Sequence, residues 1–292
     1  MMWVHNTLVL LIIKIIKDLN MDLNLNGKKA FVAGGSRGMG KAIAKVLVEE
    51  GVDVAIAARD IERLENAAND IRKNTSTKIV PISFDTGDKE SVDSAIKNAH
   101  SELGGIDILI NSAAIPNGSP AAVRPIDSLD ENALIGDFNI KYVGALRCAR
   151  AVLPYMQQQG WGKIVNISGI NARKAGNLTG GARNVALMHL TRSLAMQFGR
   201  FGINVNCIYP GATRTERTPE AMLKRAKVLG ISAEELEKQD FAPDSPLGNF
   251  ICRLVDAKEV ADVAVFLCSD KSSSISGEAI ATDGGAGSFI SY

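Results

Sequence analysis

The chain is predicted to fold as an α/β unit, a three-layer, doubly wound parallel sheet of about seven strands. Two observations predict it. Short apolar runs rich in β-branched residues alternate with stretches whose apolar residues recur at helical spacing, and a glycine-rich turn joins the first run to the first helical stretch. No internal repeat or low-complexity tract interrupts this order. At 292 residues and 46% hydrophobic content the chain fills one core and need not hold two.

The first run, Lys28 to Ala33, leads into Gly34-Gly35-Ser36-Arg37-Gly38-Met39-Gly40, and Ala42, Ile43, Val46 and Leu47 then recur as one helix face. This order reads as strand, tight turn and helix. Bare backbone in such a turn approaches a pyrophosphate closely, and the helix start offers it unpaired N–H groups and a positive dipole end. Val52 to Ala58 reads as the second strand, followed by Arg59 and Asp60. At the end of that strand an acid accepts from a ribose 2′-hydroxyl, whereas arginine pairs with a 2′-phosphate. Arg37 and Arg59 both reach this place, so NADP(H) is expected over NAD(H). The competing expectation is a solvated Arg59, with Asp60 serving the ribose.

Further along, Ile79 runs to Asp85, and Ile106-Asp107-Ile108-Leu109-Ile110-Asn111-Ser112-Ala113-Ala114 reads as a strand and its exit. Asn139 lies in Asp-Phe-Asn-Ile-Lys-Tyr-Val-Gly, and Asn206-Cys207-Ile208-Tyr209-Pro210-Gly211 is followed by Thr213 and Thr215. Glu259 to Ser269 and Ser276 to Gly285 close the pattern. In this order, and from Met21 to Gly287, the motifs resemble those of the short-chain dehydrogenase/reductase superfamily, which has a Rossmann fold. The resemblance implies that Asp85 meets the adenine and that Asn111 and Ala113 belong to the family's Asn-Asn-Ala-Gly segment. It also implies that Asn139 holds a proton-relay water and that Pro210, Gly211, Thr213 and Thr215 lie along the nicotinamide amide. Departures are Ala33 in the threonine place of the glycine loop, and Ser112 and Ala114.

The larger departure is in the chemistry. Members of the superfamily carry a serine after the fifth strand and a Tyr-x-x-x-Lys pair on the next helix. The tyrosine protonates the substrate carbonyl, and the lysine holds the ribose and lowers the tyrosine pKa. Alignment on Ala186-Leu187 and Thr191 to Ala195 puts Gly180 in the tyrosine place and Asn184 in the lysine place. Neither transfers a proton, although Asn184 still bonds ribose hydroxyls. Gly169 stands where the second serine belongs and Ser168 one position before it; a slip in that shortened loop restores the serine. Loss of a placed general acid costs roughly 10²–10⁴ in rate. Replacement candidates, by position alone, are Tyr209 and Lys174 foremost, then Tyr142, Arg173 and Asn171; against these stand packing for Tyr142, solvent exposure for Arg173 and Lys174, and a turn role for Asn171. The expected catalytic set is Asn139, Ser168, Tyr209 and Lys174.

A net charge of +1, with no basic stripe, argues against nucleic acid. Cys148, Cys207, Cys252 and Cys268 are widely spaced and mostly apolar in context, so buried thiols in a reducing cytoplasm are expected, and His5, His100 and His189 have no metal-ligand spacing. Residues 1–20 hold an apolar run too short for a membrane span and are expected to be an extension outside the fold, with 21–292 as one domain. Residues 216–256 follow the sixth strand as an insertion expected to form a lid over substrate. Its cations Arg217, Lys224, Arg225 and Arg253, with Arg214 just before, suit an acidic or acyl-carrier substrate or are solvated helix faces. A homodimer or homotetramer is expected through helices around 137–156 and 184–198. Three function classes follow: a redox enzyme with a borrowed proton donor acting on a small molecule, a lyase in the same cleft, and an inactive NADP(H) sensor or pseudo-subunit.

Overall fold

A computed structural model describes residues 21–73 and 75–287; the expected extension at 1–20 lies outside them. Seven parallel strands run in the order β3-β2-β1-β4-β5-β6-β9: β1 (Lys29–Ala33), β2 (Asp53–Ala58), β3 (Ile79–Ser83), β4 (Ile108–Asn111), β5 (Gly162–Ile167), β6 (Ile203–Pro210) and β9 (Ala279–Thr282). A separate two-stranded ribbon pairs β7 (Thr213–Arg214) with β8 (Val255–Asp256). The strand order reverses between β1 and β4, which opens a crevice at their carboxyl ends.

Both faces of the sheet are covered, and the strand alternation shows how. In β1, Ala30 and Val32 face one core while Phe31 and Ala33 face the other. The first core is closed by α1 (Gly38–Glu49), α2 (Ile61–Arg72) and α9 (Ala257–Leu267) through Ile43, Leu47, Leu64, Ile71, Val260 and Val265. The second is closed by α3 (Lys89–Leu103), α5 (Gly144–Gln159) and α6 (Leu178–Phe198) through Val92, Ile96, Val152, Met156, Leu187 and Leu194. Between them α4 (Glu131–Phe138) runs into one π-helical turn, Asn139–Val143, before α5.

The insertion carries α7 (Thr218–Leu229) and α8 (Ala233–Asp240), packed on a small core of Met222, Phe241 and Leu254. Cys148, Cys207 and Cys268 are buried free thiols, but Cys252 is exposed, because it lies in the irregular stretch after α8 rather than in a core element. Among the described residues no helix is long and apolar enough to cross a membrane.

Candidate active site

A cleft of about 740 Å³ lies at the carboxyl ends of β1, β4, β5 and β6 and is lined in part by residues of the insertion. Of the expected residues, Gly34, Ser36, Arg37, Gly38, Met39, Arg59, Ala113, Ser168, Lys174, Asn184, Pro210, Gly211, Thr213 and Thr215 line it. Gly40, Asp85, Asn111, Asn139 and Tyr209 stand behind its walls.

The glycine loop needs its glycines for space. A Cβ on Gly34, at φ +86°, would lie 2.7 Å from the Ala113 nitrogen, and one on Gly40 would lie 2.2 Å from the Gly34 oxygen. Gly40 therefore serves by letting α1 pack onto the loop. Helices α2, α3, α4, α6 and α8 begin under a side-chain cap, whereas α1 has none at Arg37. Its first amide, Gly38 N–H, instead donates to the carboxylate of Glu216 at 2.9 Å. An anion thus already sits at the dipole end where a phosphate would bind. Thr215 borders the same spot, its methyl 3.7 Å from where a Gly38 Cβ would be.

At the end of β2 guanidiniums outnumber carboxylates. Arg37, Arg59, Arg63 and Arg217 all border the cleft. Arg37 holds its proton less firmly than usual, first through partial desolvation and then through the neighbouring guanidiniums of Arg217, Arg63 and Arg59, partly offset by Glu216. Asp60 also borders the cleft, and there it caps α2 on Arg63 N at 3.0 Å and pairs with the Arg63 guanidinium at 2.9 Å.

Behind the wall, Asn111 Nδ2 donates to Asn166 Oδ1 at 2.8 Å, and Asn166 Nδ2 donates to the Thr191 hydroxyl at 2.9 Å, tying β4, β5 and α6 together. Asp85 accepts from Gly87 N at 2.8 Å, and Asn139, the first residue of the π turn, donates to the Gly87 carbonyl at 3.0 Å. The amide of Asn139 therefore holds the loop after β3.

Among the described residues no tyrosine lines the cleft. Gly180 and Asn184 both line it, and the space a side chain at 180 would enter is filled by Asn171 and Asn177, 2.9 and 2.8 Å from a Cβ there. The Ser168 hydroxyl donates to the Asn184 carbonyl at 3.0 Å, and Asn184 Nδ2 donates to the Gly169 carbonyl at 3.3 Å. Tyr209 is buried, with the Arg173 guanidinium stacked 4.1 Å from its ring centroid. Burial raises its hydroxyl pKa, and Arg173 opposes that rise. Tyr142 packs against the second core and the ring of Phe138.

Two cations on this floor were not among the expected site residues. Lys141 is buried, lines the cleft and donates to the Ser168 carbonyl at 2.8 Å. Desolvation, then the charge of Arg183, lowers its pKa to about 7. Arg183, also buried, donates to the Ile115 carbonyl at 2.7 Å and faces Asp137 at 3.7 Å, while its Nε and Nη1 have no hydrogen-bond partner. Asp137 is held in turn by the Thr179 hydroxyl at 2.9 Å and by Ser119 N at 3.0 Å. The available signal was spacing: Lys141 follows Asn139 by two residues, and Arg183 adjoins the substituted Asn184.

The insertion contributes Phe241, Leu247, Asn249 and Leu254 to the cleft. Four of the five cations named for this region are paired: Arg214 with Glu237 and Asp256, Lys224 with Glu220, Arg225 with Asp240 and Arg253 with Glu259. Of the five only Arg217 lines the cleft.

Residues 33–287 match the family model described as enoyl-(acyl carrier protein) reductase. The NADPH-dependent reductase BacG of Bacillus subtilis (strain 168) is 29% identical over 265 residues, 90% of this chain and 98% of that protein. The 3-oxoacyl-[acyl-carrier-protein] reductase FabG of Aquifex aeolicus (strain VF5) is 30% identical, covering 91% of this chain and 99% of that one. The crystal structure of L-sorbose reductase from Gluconobacter frateurii, complexed with NADPH and L-sorbose, superposes with a TM-score of 0.82 at 28% identity, over 91% of this chain and 98% of that one.

Proposed function

This chain belongs to the short-chain dehydrogenase/reductase family, and on that footing we propose that it is an NADP(H)-dependent oxidoreductase that interconverts a carbonyl and a CH–OH group through a non-standard catalytic site. The observation that carries the reading is the joining of an uncapped, glycine-lined helix start to a cluster of arginines with Asp60 already engaged. A pyrophosphate fits the first and a 2′-phosphate the second. Relatives described as NADPH-dependent or bound to NADPH support the same choice of nucleotide.

NADPH when bound supplies hydride; the chain's residues do the rest. Gly34, Ser36, Gly38 and Met39 offer backbone to the phosphates, and Arg37 and Arg59 hold the 2′-phosphate. Gly40, Asp85, Asn111 and Asn139 keep the loops that surround the nucleotide in place. Ala113 lies beside the glycine turn, and Pro210, Gly211, Thr213 and Thr215 form the nicotinamide wall. Asn184 replaces an ammonium with a neutral hydrogen-bond donor, so the ribose is gripped with less charge. Ser168 orients α6 through the Asn184 carbonyl, Lys174 steers the substrate, and Tyr209 with Arg173 shapes the end of the pocket. Residues 216–256 act as the lid. Assembly as a homodimer or homotetramer uses α5 and α6, which leave Leu146, Val185 and Met196 exposed.

The test is a fluorescence titration with NADPH and NADH, followed by absorbance at the nicotinamide band with ketones, quinones and acyl thioesters. Tighter binding of NADPH and oxidation with one substrate class are expected. Binding without turnover on any of them would favour a sensor or pseudo-subunit, and absence of binding a non-redox use of the cleft.

A further inference from the structure

The side chains at 180 and 184 supply no proton, yet an ammonium reaches the same floor from another helix. Lys141 Nζ and Asn184 Nδ2 donate to consecutive carbonyls, those of Ser168 and Gly169, at 2.8 and 3.3 Å. The ammonium from the π turn therefore lies beside the residue that occupies the family's lysine place, and both border the cleft. We infer that Lys141 is the proton donor of the reduction, giving its proton to the substrate oxygen in place of the groups absent from α6. This rests on the oxidoreductase reading above.

The step balances. Hydride carries two electrons from NADPH to the carbonyl carbon, the C=O π pair moves to oxygen, and an N–H bond of Lys141 breaks as the O–H bond forms. The products are the alcohol, NADP⁺ and a neutral amine, which regains a proton from solvent. Of the groups facing Lys141, the stronger influence, Arg183, favours release and the weaker, Cys207, opposes it. Arg183 approaches from α6, and the Cys207 thiol on β6, pushed up to about 11, brings no negative charge near neutrality. Asp137 is committed to Arg183, Thr179 and Ser119. With its pKa lowered to about 7, Lys141 is poised as an acid at neutral pH.

The experiment compares wild type with K141M and K141R, each checked by thermal melt and NADPH fluorescence. Both variants are expected to bind NADPH as wild type does and to lose roughly 10²–10⁴-fold in kcat. The wild-type rate of reduction should fall as pH rises through the region of the Lys141 pKa, and that limb should vanish in K141M. Arginine keeps the charge and a donor for the Ser168 carbonyl but does not release a proton, so rescue by K141R would mean a positional role and overturn the inference. So would K141M turning over at the wild-type rate. Competitive acetylation read by mass spectrometry gives a readout apart from turnover: the Lys141 amine should react at neutral pH, and an inert amine overturns the assignment. Failure of the wild type to bind NADPH would instead sink the oxidoreductase reading.

Discussion

Glu216 reaches across 178 residues of chain to accept the Gly38 amide at 2.9 Å, placing a carboxylate at the dipole end of α1. A phosphate must displace it or share the site with it. E216Q should therefore tighten NADPH binding about twofold to fivefold, the range of a charge at a helix start. Titration at low and high salt checks this, with the gain shrinking as salt rises.

Arg37 and Arg59 flank the end of β2 with Asp60 already engaged. R59A and R37A should each weaken NADPH binding by about 1.5–3 kcal/mol, the worth of a hydrogen bond to a charged group. NADH, which carries no 2′-phosphate, should lose far less. The ratio of the two dissociation constants is the readout, and equal losses for both nucleotides would move the 2′-phosphate elsewhere.

Lys141 also makes stability depend on pH. Its folded pKa of about 7 lies below the ordinary 10.5, so between those values the unfolded chain binds more protons than the folded one. Stability from this residue therefore rises as pH increases from 7 towards 10.5. The penalty at neutrality is roughly 3–6 kcal/mol. Urea melts of wild type and K141M at pH 7 and pH 9.5 should show the variant gaining more at the lower pH.

Restoring a tyrosine at 180 should not restore a reductase of the usual kind. The ring would have to displace Asn171 and Asn177, and Asn177 caps α6 through Gly180 N at 2.7 Å. Overpacking and the lost cap together should cost about 2–4 kcal/mol. A lowered melting temperature for G180Y, with no gain in turnover, is the expected outcome.

Much of this was legible from spacing alone. Strand limits near 28–33 and 52–58 were readable because apolar runs between turn residues have one compact use, and the structure places β1 and β2 at Lys29–Ala33 and Asp53–Ala58. Gly180 and Asn184 stood out only through the family resemblance, which sets them in the tyrosine and lysine places, and both border the cleft. Lys141 was not, because a lysine among apolar residues of a helix reads as a solvated stripe, and the wide turn that redirects this segment has no one-dimensional signature. The pairing of the insertion's charges was not legible for a similar reason: the partners of Arg214 and Arg225 lie on other elements, and pairing across a fold is invisible along a line.

The single π turn at Asn139–Val143 holds one more residue than regular winding would. With α5 fixed by its packing in the second core, deleting one residue there would rotate everything before it by about 100°. Asn139 would swing off the Gly87 carbonyl and Asp137 away from Arg183. Two anchors of the cleft thus owe their heading to one surplus amino acid, and a one-codon deletion within the turn would misdirect both at once.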